Sequence, residues 1–129
     1  MIFRRQESFR YTFNEPIDCL FKLAKIDDTP LNSEFGKGQI IDISPSGLKM
    51  MTTLNLSPSL KKIEIEIQFS IDDSPFQIVG VVQWQKKDFL KNGYLYGVKL
   101  DSTEDIEASI IRGLKKHAEK SLHAKKFKQ

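Results

Sequence analysis

Between residues 61 and 69 the chain alternates without a fault. Ile63, Ile65, Ile67 and Phe69 fall on one side; Lys62, Glu64, Glu66 and Gln68 fall on the other. A period of two puts one face in a core and the other in water, so this run is a half-buried strand. The same pattern recurs more loosely. After Pro16, the apolar Ile17, Cys19, Phe21 and Leu23 alternate with the mixed set Asp18, Leu20, Lys22 and Ala24. Phe76, Ile78, Gly80, Val82 and Trp84 share one side of a run ending at Gln85, and strands are also predicted over 36–42, 48–53 and 94–100. Turn-forming composition separates them, at 27–33, at Ser57-Pro58-Ser59, at Asp72-Asp73-Ser74-Pro75 and at the hairpin signal Asn92-Gly93. Gly80, inside its strand, predicts a bulge or sharp bend.

Past Ser102 the period changes. Ile106, Ile110, Leu114, Ala118 and Leu122 recur at every fourth residue and Ile111 widens the stripe, which predicts an amphipathic helix. Ser102 is placed to cap it, Glu104 and Asp105 suit its positive end, and lysines gather at the other. Gly113 weakens this helix by about 1 kcal/mol relative to alanine. Strands joined by short turns and followed by one helix predict a mostly β chain, a small antiparallel barrel with a helix packed on it. In that frame Trp84 and Tyr96, at inward positions, are core residues rather than base-stacking ones.

A length of 129 residues suits one domain, and the apolar share of 40% can furnish its core. No run approaches the roughly 20 apolar residues of a membrane helix, and no apolar stretch follows Met1-Ile2-Phe3-Arg4-Arg5 as a secretory signal requires. The single cysteine, Cys19, has no internal disulfide partner and reads as a small core residue. These features lead us to expect a cytoplasmic protein. The net charge of +3 is unevenly spread: residues 115–129 hold six lysines against Glu119, or +5, which leaves −2 for the rest. That distribution argues against an evenly basic nucleic-acid face. His117 and His123 have no Asp, Glu or Cys at ligand spacing and read as solvated residues, so no metal site is expected. Paired carboxylates with a histidine, a nucleophile elbow and a phosphate-cradling glycine loop are all lacking, so we expect a binding module and not an enzyme.

Two stretches carry candidate chemistry. One is Asp42-Ile43-Ser44-Pro45-Ser46-Gly47, a polar turn between the predicted second and third strands. Asp42 and Ser44 are two apart, which on a strand is one face, and Gly47 marks either a positive φ or a close approach. By itself this is how ordinary hairpin turns are written. The other is Phe3-Arg4-Arg5-Gln6-Glu7-Ser8-Phe9-Arg10, arginines lying ahead of the first strand with no core to serve. Arginine's planar fork binds phosphate or the O6/N7 edge of guanine, while a carboxylate accepts from the guanine N–H groups and a hydroxyl can donate or accept. Such an arm facing such a turn suits a ligand holding both guanines and phosphates. Phe9, Tyr11 and Phe13 alternate and would tether the arm to the protein.

The two stretches together resemble the PilZ domain, the bacterial receptor module for cyclic di-GMP, whose signature is R-x-x-x-R followed some tens of residues later by [D/N]-x-S-x-x-G. Asp42, Ser44 and Gly47 match the second half. Val82-x-Trp84, Tyr96-Gly97-Val98 and the terminal helix extend the resemblance over nearly all of the chain. The resemblance implies a six- or seven-stranded antiparallel barrel with a C-terminal helix, divided into an arginine-bearing arm (1–15), the barrel with its closing helix (16–122) and a basic tail (123–129). It implies a cyclic di-GMP receptor with no other cofactor, in which Arg4, Arg5, Arg10, Asp42, Ser44 and Gly47 hold the ligand. The arm would order on binding, and a protein of motility, secretion or polysaccharide machinery would read the change. The first half of the signature departs from the pattern: Arg5 and Arg10 are separated by four residues, and Gln6 stands where an arginine belongs. Two other readings therefore stay open, a degenerate PilZ domain serving as a nucleotide-independent adaptor and a small-barrel nucleic-acid binder using its lysine tail. Ligand stoichiometry, partner and oligomeric state are not written in the sequence.

Overall fold

The faultless alternation of 61–69 becomes strand β5, Ile63–Ile71, and Ile63, Ile65, Ile67, Phe69 and Ile71 are all buried. The computed structural model describes residues 9–88 and 92–127, with side chains through residue 122. The other strands are β1 (Tyr11–Ile26), β2 (Thr29–Pro30), β3 (Gly36–Ile43), β4 (Gly47–Thr52), β6 (Ser74–Asp88) and β7 (Gly93–Leu100). All pairings are antiparallel in the order β2-β1-β3-β4-β7-β6-β5, and β1 also pairs with β5, so six strands close into a barrel with the two-residue β2 outside the ring. Closure leaves almost no unpaired sheet edge. Turns fall where the sequence placed them, and Asp27, Asp28, Asp72 and Asn92 take the left-handed φ (50°, 69°, 54° and 54°) that short polar side chains tolerate.

Helix α1 (Glu104–Phe127) covers one end of the barrel. Ile110 and Leu114 are fully buried and Ile106 packs against the same core. Its cap is Thr103 and not Ser102: Thr103 Oγ1 accepts from the Ile106 N–H at 3.2 Å. The Ser102 hydroxyl instead lies within hydrogen-bonding distance of the Pro45 carbonyl oxygen (3.1 Å) and Glu107 Oε2 (3.2 Å), which fastens the start of α1 to the polar turn after β3.

Three further expectations change. The first strand opens at Tyr11 and not Pro16, because Tyr11 and Thr12 already pair with Ile43 and Asp42 before extra residues intervene and pairing resumes at Ile17. Register runs unbroken through Gly80. What demands glycine there is the approach of Val98 Cγ1 and the Lys99 carbonyl oxygen, 2.6 and 2.9 Å from where a Cβ would stand. His117 is not a solvated residue: its ring packs edge-on against Tyr11 and Phe13, 5.6 and 5.4 Å between centroids.

Candidate functional site

Two one-residue bulges build the site. Along β3, Gly38 and Ile40 face the core, and unbroken alternation would send Asp42 inward too. Instead Ile40 pairs with Met50 and Asp42 with Lys49, so Ile41 is an extra residue; parity inverts, Ile43 takes the core position and Asp42 turns outward. Along β6, Val82 pairs with Val98 but Trp84 with Gly97, so Gln83 is extra and Trp84 turns outward as well. The indole is 44% exposed, which corrects the expectation that it belongs to the core. It lies flat across β7, where a Cβ on residue 97 would stand 2.0 Å from its Nε1. Tyr96 does meet the core expectation. It is fully buried, and its hydroxyl donates to the Leu54 carbonyl oxygen (2.6 Å) and accepts from the Leu56 N–H (2.8 Å) and Gln85 (2.9 Å).

The outward faces of β3, β4, β7 and β6 now share an open cleft of about 570 Å³. Asp42 stands at one side, its side chain 8% exposed. Arg10 Nη1 donates to Asp42 Oδ1, and Lys49 Nζ lies 3.6 Å from Oδ2, so the carboxylate is held between two cations. Lys99 adds a third positive charge, Gly47 and Val98 line the floor, and Gln83 and Trp84 line the far side. Three cations against one carboxylate leave the cleft net positive. Arg10 is half exposed, at 48%, which keeps its guanidinium within reach of solvent.

Of the residues expected in the site, the fold brings Arg10, Asp42 and Gly47 to this cleft. Gly47 has no positive φ; what requires glycine is a close approach, since a Cβ would lie 3.0 Å from the Val98 carbonyl oxygen. Ser44 does not share a face with Asp42. It is fully buried in the turn beyond β3, and its N–H and hydroxyl both donate to the Gly47 carbonyl oxygen, at 2.8 and 3.3 Å. The turn is anchored again where the Leu100 N–H donates to the Ser46 carbonyl oxygen at 2.8 Å. Arg4 and Arg5 lie outside the described residues. Lys49, Gln83 and Lys99 went unassigned in the sequence, and Trp84 was placed in the core. Lys49, two residues past Gly47, and Trp84, in the Val82-x-Trp84 motif, had local signals; Gln83 and Lys99 reach the cleft through register.

A larger hollow, about 870 Å³, lies where β1, β5 and the start of β6 meet. Its charged lining, Asp18 and Lys37, cancels, so it lacks the positive field of the smaller cleft. Among the described residues no group of three potential metal ligands comes together, and no helix is long and apolar enough to cross a membrane.

The PilZ domain model matches residues 4–116, from the arginine stretch through about the first half of α1. The chain belongs to the PilZ domain family. Solved PilZ-type structures share its fold. The PilZ domain of YcgR from Escherichia coli, solved with c-di-GMP, superposes with a TM-score of 0.62 at 14% identity, covering 98% of this chain and 100% of that one. MrkH from K. pneumonia in its apo state gives 0.66 at 20% identity over 99% of this chain and 56% of that one. The Bacillus subtilis inhibitor of motility, MotI/DgrA, gives 0.61 at 13% identity over 92% and 54%. The chain thus spans about half the length of MrkH and of MotI/DgrA. No protein of curated function matches the sequence.

Proposed function

We propose that this PilZ domain is a receptor for cyclic di-GMP, which it binds in the cleft between Asp42 and Trp84. The observation that carries this reading is the charge pattern over Gly47: Arg10, Lys49 and Lys99 around the single carboxylate of Asp42, beside an exposed indole. Cyclic di-GMP brings two diester phosphates, two guanine edges rich in N–H donors and two flat rings. The cations meet the phosphates, Asp42 accepts from a guanine N1–H and N2–H, and Trp84 offers a stacking surface. Ser44 contributes by holding the turn in shape through Gly47. Residues 1–15 act as the ligand-binding arm, in which Arg4 or Arg5 adds a second arginine contact. Residues 16–122 are the scaffold and 123–129 a basic tail. Ordering of the arm alters the surface that a protein partner reads. The experiment is a calorimetric titration of cyclic di-GMP into the wild type, Arg10→Ala and Trp84→Ala, with GTP and cyclic di-AMP as controls. Saturable, cyclic di-GMP-specific heat that is lost in Arg10→Ala and weakened in Trp84→Ala is expected, and it gives the stoichiometry. Binding that survives Arg10→Ala overturns the site.

Two observations favour a second reading. Asp42 is already neutralised within the chain by Arg10 and Lys49, and the arm's arginine spacing is one residue too long. An adaptor that works without a nucleotide would show no heat and no rise in Tm at saturating ligand, whereas any ligand of the native state must raise it.

A further inference from the structure

Outside the cleft, His117 ties together more of the fold than any neighbour on its helix. Halfway along α1, its side chain is 23% exposed. Nδ1 lies 3.0 Å from Asp72 Oδ1 in the turn between β5 and β6. Its ring stands edge-on to Tyr11 (90°) and to Phe13 (70°), and those two rings pack edge-on to each other at 5.2 Å. Two separate segments, the start of β1 and the turn between β5 and β6, therefore meet α1 at one imidazole. Before His117 the apolar stripe of α1 is sunk in the barrel at Ile110 and Leu114; after it the stripe runs off the barrel, and Leu122 is 62% exposed. Among the described side chains of α1, none beyond His117 makes a ring contact, ion pair or hydrogen bond.

The other end of this contact reaches the cleft. Tyr11 follows Arg10 directly, and successive residues of an extended segment point to opposite sides. Arg10 grips Asp42 on the outer side while Tyr11 and Phe13 touch His117 on the inner side. This stretch of β1 is set apart in register from the rest of the strand by the shift between Thr12 and Ile17; Phe13 within it is buried in the core, while Tyr11 is only partly buried. The guanidinium of Arg10 and the N1–H/N2–H edge of guanine are also the same kind of group, paired N–H donors suited to one carboxylate.

We propose that the Arg10–Asp42 ion pair is a latch on α1. While Arg10 holds Asp42, Tyr11 and Phe13 are seated against His117 and α1 is docked as far as that residue. A guanine that takes Asp42 displaces Arg10, shifts the Tyr11 ring from His117 and loosens α1 from His117 onward, which changes the surface at that end of the helix. The ligand half of this inference rests on the cyclic di-GMP reading above; the coupling of Arg10–Asp42 to α1 does not.

Hydrogen-exchange mass spectrometry of the full chain tests it. In the free protein, Asp42→Asn and, separately, Arg10→Ala release the latch without a ligand. Each is expected to speed exchange in 115–122 by about fivefold while 105–114 keeps its wild-type rate. His117→Ala should speed the same segment and remove any further response to Asp42→Asn. Wild-type rates across 115–122 in both cleft variants overturn the latch, as does calorimetrically saturated cyclic di-GMP that leaves the segment unchanged. A cyclic di-GMP titration without heat, alongside faster exchange in the two variants, upholds the coupling and removes the ligand reading instead.

Discussion

β5 and the two strands that bulge, β3 and β6, are written with the same alternation and use it to opposite ends. β5 keeps its parity from Ile63 to Ile71, and every inward side chain is core. β3 and β6 each break parity once, at Ile41 and Gln83, and the side chain after each break is one the cleft uses, Asp42 and Trp84. A strand that never slips can supply only core and solvent faces. A strand that slips by one residue can take a polar or aromatic side chain from an inward position and present it outside. In this barrel regularity carries the stability and the irregular positions carry the site.

Breaking the regular wall is expected to have the largest effect. Ile67 is fully buried on β5, so Ile67→Ala removes packed methyl groups and leaves a cavity, costing about 2–5 kcal/mol in a urea titration. The folded fraction should keep its ligand response, since Ile67 does not line the cleft. Gly97→Val attacks the bulged wall in turn. Its side chain would occupy the space of the Trp84 indole, so the ring must leave β7. The stability loss is expected to be smaller, about 1–3 kcal/mol, but indole fluorescence should shift to the red and cyclic di-GMP heat should disappear. A variant that keeps wild-type emission would mean that the indole does not depend on this glycine.

Cys19 sharpens the comparison from inside the core, where it lies opposite Phe69 of β5. Burial first, and then the charge of Asp18, push its thiol from 9.0 up to about 12. The folded state therefore keeps a proton that the unfolded chain gives up. That contribution is fully present below pH 9 and is lost as pH rises toward about 12. The slope is up to about 1.4 kcal/mol per pH unit. Denaturation midpoints of the wild type should fall more steeply over this window than those of Cys19→Ala; parallel curves would refute the assignment. The smallest effect is a gain. A Cβ at Gly113 would meet Ile71 at 3.7 Å, ordinary contact, so Gly113→Ala should stabilise the chain by about 0.5–1 kcal/mol and raise Tm by a few degrees.

How far the sequence could be read follows the same division. The strands of the barrel, the turns at Asp27-Asp28, Asp72-Asp73 and Asn92-Gly93, and the buried stripe of α1 through Leu114 were legible, because each is encoded by neighbours two to four positions apart. The Asp42-to-Gly47 turn was legible as a motif, but the part played by Ser44 was not: its hydroxyl faces its own turn because the Pro45 and Ser46 carbonyls are tied down by Ser102 and Leu100, more than fifty residues away. Trp84 was assigned to the wrong face because a bulge leaves no trace in the period of the strand that carries it. His117 looked solvated because its partners come from the start of β1 (Tyr11, Phe13) and the turn between β5 and β6 (Asp72), far away in sequence.

The sequence by itself determined the class of the fold, the number of barrel strands to within one, the covering helix, and a carboxylate and an arginine that line the candidate cleft. These depend on local periodicity and on residue chemistry, which do not change with context. Only the tertiary structure decided which of those residues meet. Arg10 reaches Asp42 across thirty-two positions of sequence, Lys49 and Lys99 arrive by strand register, and Trp84 joins them because one extra residue inverts a face. Register and bulges are settled by the fit of whole strands to one another, and a single strand read alone does not contain that fit.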